Sequence, residues 1–350
     1  MSSSFAIGER VVGAGAPCFV IAEAGVNHNG SVDLAVQLVD VAADCGADAI
    51  KFQTFRAEKL VTAEAKQAEY QSRNMGQTES QLTMLRRLEL SQDDHLKVMA
   101  HCRQRGIGFL STPFDEESAD FLDREGMPAI KIPSGEVTNL PLIEHLAAKG
   151  RPVLLSTGMC RLSEVEACVM TLEGCGVRDL AILHCVSNYP AAPADTNLRA
   201  MRTMAEAFGH PVGYSDHTLG NEVSFAAVAL GACVIEKHFT LDRSLPGPDH
   251  KASAEPAQLR QLVEGIRTIE SAMGTGRKWP AAAELNTASV ARRSVVAART
   301  IPFGQIIRRE DLITRRPGHG LAPAMIPQIV GMTAREEIPE GTLLSLRMVS

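Results

Sequence analysis

The chain has 350 residues, 45% of them hydrophobic and 22% charged, which is enough for one large α/β domain and a small one. Its net charge of -6, with Lys and Arg scattered along the chain, excludes the basic face expected of a nucleic-acid-binding protein. The N-terminus M-S-S-S-F-A-I-G-E-R lacks the regions of a secretory leader, and the most apolar segment, Val223 to Ile235, is too short for a membrane span, so no membrane role is expected.

The eight cysteines form no C-x-x-C pair, which points to buried thiols in a reducing, cytoplasmic compartment. From the N-terminus, apolar or β-rich runs recur with helix-length segments between them. They are Phe19 to Gly25, Ala49 to Phe55, Gly108 to Phe114, Ala129 to Gly135, Pro152 to Gly158, Leu180 to Val186, Val212 to His217 and Val234 to Thr240. Helix starts are signalled at Ser31, Ser91, Ser163 and Pro256. Eight β/α units predict a closed α/β barrel, (β/α)8, over residues 1–280, with the chemistry at the C-terminal ends of its strands.

One connection, Arg56 to Leu90, is longer than a barrel needs and is expected to carry substrate or subunit contacts. Its M-L-R-R-L-E-L part reads as helical and its K-Q-A-E-Y-Q part as polar and exposed. After Gly274 the composition changes, and G-T-G-R-K-W-P reads as a linker to a second domain at 285–350. There I-P-F-G-Q-I is echoed by I-P-E-G-T-L, which predicts a small β module with pseudo-symmetry. Between the two copies lies the arginine- and glycine-rich loop T-R-R-P-G-H-G-L.

Strand periodicity selects the residues that share a face. His217 and His238 end the seventh and eighth runs, and at matched strand ends they can hold one divalent cation with positions left for substrate and water. A cap of a local network is the simpler role for either histidine alone. Lys131 stands in the apolar A-I-K-I-P, where an ammonium needs an anion or a carboxylate. With Lys51, Thr112, Ser134, Ser156 and Ser215 it predicts a phosphate or phosphoryl-carboxylate cradle. Glu23 and Glu136 can hold a sugar hydroxyl or move a proton, with a helix N-terminal role the alternative for Glu136. Glu23 adjoins N-H-N-G, a turn expected to face the same cleft. Parity puts Glu236 on the cleft side with His238, with no role read for it beyond supporting that histidine, and none for Lys237.

These stretches together resemble the sialic acid synthase family. The matching segments are I-A-E-A-G-V-N-H-N-G, I-K-F-Q-T-F, F-L-S-T-P-F-D, I-K-I-P-S-G-E, L-S-T-G-M, H-C-V-S-N-Y-P, G-Y-S-D-H-T, E-K-H-F-T and G-P-D-H-K-A-S, and the tail resembles the family's antifreeze-like (SAF, β-clip) domain. The resemblance implies an enzyme of the transferase class that condenses phosphoenolpyruvate with an N-acylated mannosamine-type sugar to a nonulosonic acid. N-acetylneuraminate is the leading product, with legionaminate or pseudaminate as alternatives. It implies that His217 and His238 bind a manganese- or magnesium-like ion. Lys51, Thr112, Lys131, Ser134, Ser156, Ser187 and Ser215 would hold phosphoenolpyruvate, with Ser187 standing where some members carry asparagine. Glu23, Gln53, Tyr189 and Asp249 would hold the sugar, joined by Arg316 from the other subunit of a domain-swapped homodimer, and Glu136 would act near the pyruvyl carbons. A second type of synthase, acting on a sugar phosphate, would need a further basic cluster. A non-catalytic carbohydrate- or ice-binding scaffold is the reading from another class.

Overall fold

The computed structural model describes residues 4–76 and 79–350 and divides into two compact units, Met1–Gly274 and Thr275–Ser350. In the first, strands β1 (Ser4–Ile7) and β2 (Arg10–Gly13) form an antiparallel hairpin. Phe5, Ile7 and Val12 of the hairpin join the barrel core, and Gly8 lies beside Pro128 at the entrance to the fourth barrel strand.

The barrel strands are β3 (Phe19–Gly25), β4 (Ala49–Thr54), β5 (Gly108–Pro113), β6 (Ile130–Ile132), β7 (Val153–Ser156), β8 (Leu180–Cys185), β9 (Val212–Asp216) and β10 (Val234–His238). Every paired neighbour is parallel, in the order β5-β4-β3-β10-β9-β8-β7-β6, and β5 lies beside β6 to close the ring. The eight expected runs are these eight strands. They are buried on both faces, as a parallel sheet covered by helices requires, and each buried Leu, Ile or Phe stabilises the fold by about 1.5–3 kcal/mol.

The helix signals hold at three of four positions. The Ser31 and Ser91 hydroxyls accept from the Leu34 and Asp94 amides, and Pro256 opens the helix Pro256–Met273. Ser163 is not a cap. The helix starts one residue earlier, at Leu162, because the Glu164 carboxylate reaches back to the Arg161 amide at 2.7 Å.

The long β4–β5 connection folds into short helices Ala57–Leu60, Glu69–Met75 and Gln81–Leu88. Met84, Leu85 and Leu88 join Val26, Phe55 and Ala57 in an apolar cluster of their own, so this insert is a built part of the barrel mouth.

The second unit pairs β11 (Ser294–Ala297) with β12 (Leu312–Arg315) in antiparallel register. The repeated I-P-x-G segments face each other across a pseudo-two-fold axis. Ile301 and Ile338 exchange both backbone hydrogen bonds, at 2.8 and 2.9 Å. Each copy also repeats the other's outer contacts: Gly304 donates to the Ala334 carbonyl and Gly341 to that of Ala297. Ile301, Ile307, Ile338 and Leu344 form the centre of its core. The loop after β12 is pinned by the buried Ser294, whose hydroxyl donates to the Pro317 carbonyl and accepts from the Gly320 amide. Arg316 is exposed on this loop.

Candidate active site

The barrel strands bring their C-terminal polar residues to one cavity of about 410 Å³. Its lining includes Glu23, Lys51, Gln53, Thr112, Lys131, Ser134, Ser156, Ser187, Tyr189, Ser215, His217, His238 and Asp249. Strand register explains the convergence: His238 is paired opposite Glu23 and Glu23 opposite Lys51, while Glu236 is opposite Ser215 and Gln53 opposite Thr112.

A buried charge network runs through the cavity floor. The Lys51 ammonium lies 2.7 Å from Glu23 and 3.6 Å from Glu236, and Lys131 lies 3.6 Å from the other Glu236 oxygen. Thr112 and Ser156 are tethers for these lysines, at 3.0 Å from Lys51 and 2.8 Å from Lys131. Ser215 donates to Glu236 at 2.9 Å. Glu236 is therefore a site residue in its own right, beyond the support of His238 expected of it. Its strand parity was the available signal; its two lysine partners come from strands far away in sequence.

Burial drives the two carboxylates upward, but their neighbours differ. For Glu23 burial prevails over Lys51, with Glu236 adding repulsion, and its carboxyl rises to about 7. For Glu236 the Lys131 and Lys51 charges and the Ser215 hydrogen bond overcome burial and hold it low, at about 2. Burial lowers Lys131, whereas Lys51 is raised because Glu23 and Glu236 outweigh its own burial. Two buried ammonium groups beside one carboxylate held ionised and a second that burial drives toward its neutral form make the floor suited to an anion.

Ser134 and Ser187 lie beside this floor. The Ser134 hydroxyl accepts from the Gly158 amide at 2.8 Å and contacts Cys185 Sγ at 3.2 Å. A Cβ on Gly158 would collide with Ser187 Oγ and stand 2.9 Å from Cys185 Sγ, so only glycine lets these side chains meet.

In the same cavity the rings of His217 and His238 are 5.6 Å apart by centroid, with Tyr189 at 4.2 Å from the first and 5.4 Å from the second. Tyr70 of the insert packs on Tyr189 at 4.9 Å, and Ala68 and Gln71 also line the cavity, which corrects the expectation that K-Q-A-E-Y-Q is merely exposed. Burial lowers His217 to about 4 despite its bond to the Val186 carbonyl. It drives His238 well below the ordinary histidine range, with His217 adding to the effect. Both imidazoles are thus neutral near pH 7, the form that ligates a metal. His217 Nδ1 donates to the Val186 carbonyl at 2.6 Å, which leaves Nε2 with its lone pair, and buried His238 Nδ1 has no partner among the described residues. Among the described residues no group of three or more His, Cys, Asp or Glu is placed to hold an ion.

Asp249 points its carboxylate into the cavity, where burial raises it to about 6. One expected residue is not brought there. Glu136 is absent from the lining because the short turn Ser134–Glu136 directs its carboxylate to the Asn139 side chain, at 2.7 Å, and Asn139 caps the helix Leu140–Ala147. Arg316 belongs to the other unit. Lys237, on the outer side of β10, bonds Asp216 and the Thr218 carbonyl, both at 2.8 Å, and is a structural brace. The N-H-N-G turn also lies outside the cavity lining.

Comparison with known proteins agrees with this geometry. Residues 38–278 match the NeuB family and residues 292–350 the SAF domain. The chain is 49% identical to the N,N'-diacetyllegionaminic acid synthase of Legionella pneumophila, over 95% of this chain and 94% of that one. It is 45% identical to the enzyme of the same name from Campylobacter jejuni, over 93% and 98%. The crystal structure of N-acetylneuraminic acid (sialic acid) synthetase from Leptospira borgpetersenii superposes with a TM-score of 0.73 at 36% identity, over 82% of this chain and 95% of that one. The chain belongs to the NeuB family of sialic acid synthases, a (β/α)8 barrel followed by a SAF domain.

Proposed function

We propose that the chain joins phosphoenolpyruvate to an N-acylated mannosamine-type sugar, giving a nine-carbon nonulosonic acid and phosphate. One observation carries this reading: a single cavity is lined by the buried lysines Lys51 and Lys131 with Ser134 and Ser187, and also by His217, His238, Tyr189 and Asp249. The first set suits a phosphorylated acid and the second a polyol.

The sugar that fits best is 2,4-diacetamido-2,4,6-trideoxymannose, which gives diacetyllegionaminate. Two relatives named for that product match at 49% and 45%. The insert also lines the cavity with Leu60, Ala68, Met84, Leu85 and Leu88, an apolar wall that suits a methyl group better than a hydroxyl. N-acetylmannosamine, giving N-acetylneuraminate, is the second reading, favoured by the Leptospira structure.

In the reaction the enol carbon of phosphoenolpyruvate attacks the sugar aldehyde carbon and forms the new carbon–carbon bond. Glu23, its carboxyl raised to about 7, supplies the proton that the aldehyde oxygen gains. Water then adds at the cationic carbon that bears the phosphate, losing a proton, and phosphate departs with its bridging oxygen. Lys51 and Lys131 hold the carboxylate and phosphate while charge redistributes. Glu136 has no part in this scheme.

The unpartnered Nδ1 of His238 and the Nε2 of His217, whose one polar contact among the described residues is the Ser215 hydroxyl at 3.5 Å, fit a divalent ion. When bound, it would supply Lewis-acid polarisation of the aldehyde, and imidazole ligands suit manganese better than magnesium. Arg316 of a second copy would complete the sugar contacts in a domain-swapped homodimer. No helix among the described residues is long and apolar enough to cross a membrane, and all eight cysteines are free, which supports a reducing, cytoplasmic setting.

The test is phosphate release from phosphoenolpyruvate and manganese with a panel of N-acylated aminohexoses. Preference for the diacetamido-trideoxy sugar supports the proposal, preference for N-acetylmannosamine moves it to neuraminate, and no release with any sugar leaves the scaffold reading.

A further inference from the structure

Asn27 and His28 of the N-H-N-G turn are buried and Asn29 is half-buried, although the turn lines no part of the cavity. Its side chains reach instead to the segment after β10. Asn27 Nδ2 donates to the Phe239 carbonyl at 2.8 Å and to the Ser253 hydroxyl at 2.9 Å, and Ser253 donates onward to the Asp249 carbonyl at 2.8 Å. Asn29, in the left-handed region at φ 51°, accepts from His250 Nε2 at 3.2 Å. His250 Nδ1 in turn pairs with the Thr240 hydroxyl at 2.7 Å, and the ring is fully buried. Gly247 packs so tightly here that a Cβ would stand 2.6 Å from the His250 ring and 2.9 Å from Asn29 Oδ1. From the insert, buried Asn74 donates to the Pro248 carbonyl at 2.8 Å.

These contacts all grip one strap, residues 247–253, and its one carboxylate in the cavity is that of Asp249. The Asp249 carboxylate accepts no hydrogen bond from the described residues, burial alone shifting it, so the strap's backbone decides where it points. A neutral imidazole with a partner on each nitrogen ties that backbone to the end of β3 on one side and to Thr240 on the other.

We infer that Asn29 and His250 are positioning residues that hold the strap so that Asp249 meets the sugar, an inference that rests on the sugar-binding role proposed for Asp249. The lysines and hydroxyls of the anion floor belong to other strands, so the brace acts first on Asp249.

Three variants test it. Asn29→Gly keeps the left-handed backbone and removes the carboxamide, Asn29→Asp keeps an acceptor oxygen at the same place, and His250→Ala removes the ring. Amide hydrogen exchange is read over residues 245–253, with β3 and β10 as internal reference. Exchange in the strap should quicken about tenfold in Asn29→Gly and His250→Ala and stay within about twofold of the parent in Asn29→Asp. The sugar KM should rise about tenfold in the first two, with the phosphoenolpyruvate KM unchanged and Asn29→Asp close to the parent. Unaltered strap exchange in Asn29→Gly and His250→Ala overturns the brace whatever the activity, and a loosened strap with an unaltered sugar KM overturns its link to Asp249. Should His250→Ala fail to fold, the two Asn29 variants decide. A parent enzyme inactive on every sugar would defeat the proposed function, and the exchange comparison would still judge the brace.

Discussion

Glu236 and Lys131 lie 3.6 Å apart at the centre of the barrel, both almost fully buried, and the same carboxylate reaches Lys51 at the same distance. Glu236 keeps two ammonium groups of the anion floor apart and charged. Replacing it by Gln leaves its shape and removes its charge, so Lys131 loses its carboxylate partner and Lys51 keeps only Glu23. Glu236→Gln is expected to raise the phosphoenolpyruvate KM or lower kcat/KM by at least about tenfold and to lower the melting temperature. Steady-state kinetics and thermal unfolding of the same preparation check both.

The pH dependence follows from the opposite shifts of the two glutamates. Glu23 has a folded value of about 7, above its ordinary value, so between about pH 4.5 and 7 the folded state holds a proton that the unfolded state has lost, and its contribution to stability falls as pH rises through that window. Glu236, held at about 2, contributes stability that is present above the ordinary carboxyl value and lost as pH falls through the acid range. If Glu23 donates the proton, kcat/KM should fall on the alkaline side of about pH 7, and Glu23→Gln should abolish that limb along with most of the activity. A pH–rate profile of the parent and variant reads this directly.

Gly158→Ala introduces no backbone strain, because this glycine is not in the left-handed region, but its methyl group would meet Ser187 and crowd Cys185 and Ser134. Phosphoenolpyruvate affinity is expected to drop at least about tenfold while the far-ultraviolet circular dichroism stays native. Calorimetric titration with phosphoenolpyruvate measures the loss.

Chelation should remove the activity and manganese should restore it, if the histidine pair holds the ion. In His238→Ala the barrel should stay folded, and manganese binding, read by the paramagnetic resonance of the free ion, should weaken about a hundredfold. Tight manganese binding by that variant would remove His238 from the ligand set.

Much of this site was legible in the sequence because barrel strands are simple. His217, His238, Lys51 and Thr112 stand at the polar ends of apolar runs, which predicts one shared mouth, and all four line the cavity. Glu236 was harder, since its meaning depends on Lys51 and Lys131, which only closure of the ring brings near. The insert was harder still. Tyr70 sits in a polar stretch, and its packing on Tyr189 comes from the way three short helices fold over the mouth. Glu136 shows the reverse: a glutamate in a glycine context at a strand end reads like a catalytic group, and one local hydrogen bond to Asn139 turns it away. The β1–β2 hairpin escapes a search for barrel units because its strands are four residues each.

The central claim is that one cavity joins two substrates, with water capturing the phosphate-bearing carbon. Phosphoenolpyruvate labelled with heavy oxygen at the bridging position, turned over with the preferred sugar, tests it in one mass-spectrometric measurement. Equal amounts of nonulosonic acid and phosphate are expected, with the label wholly in the phosphate and the new ketone oxygen drawn from water. Label retained in the sugar acid, or phosphate released without an acid product, would contradict it.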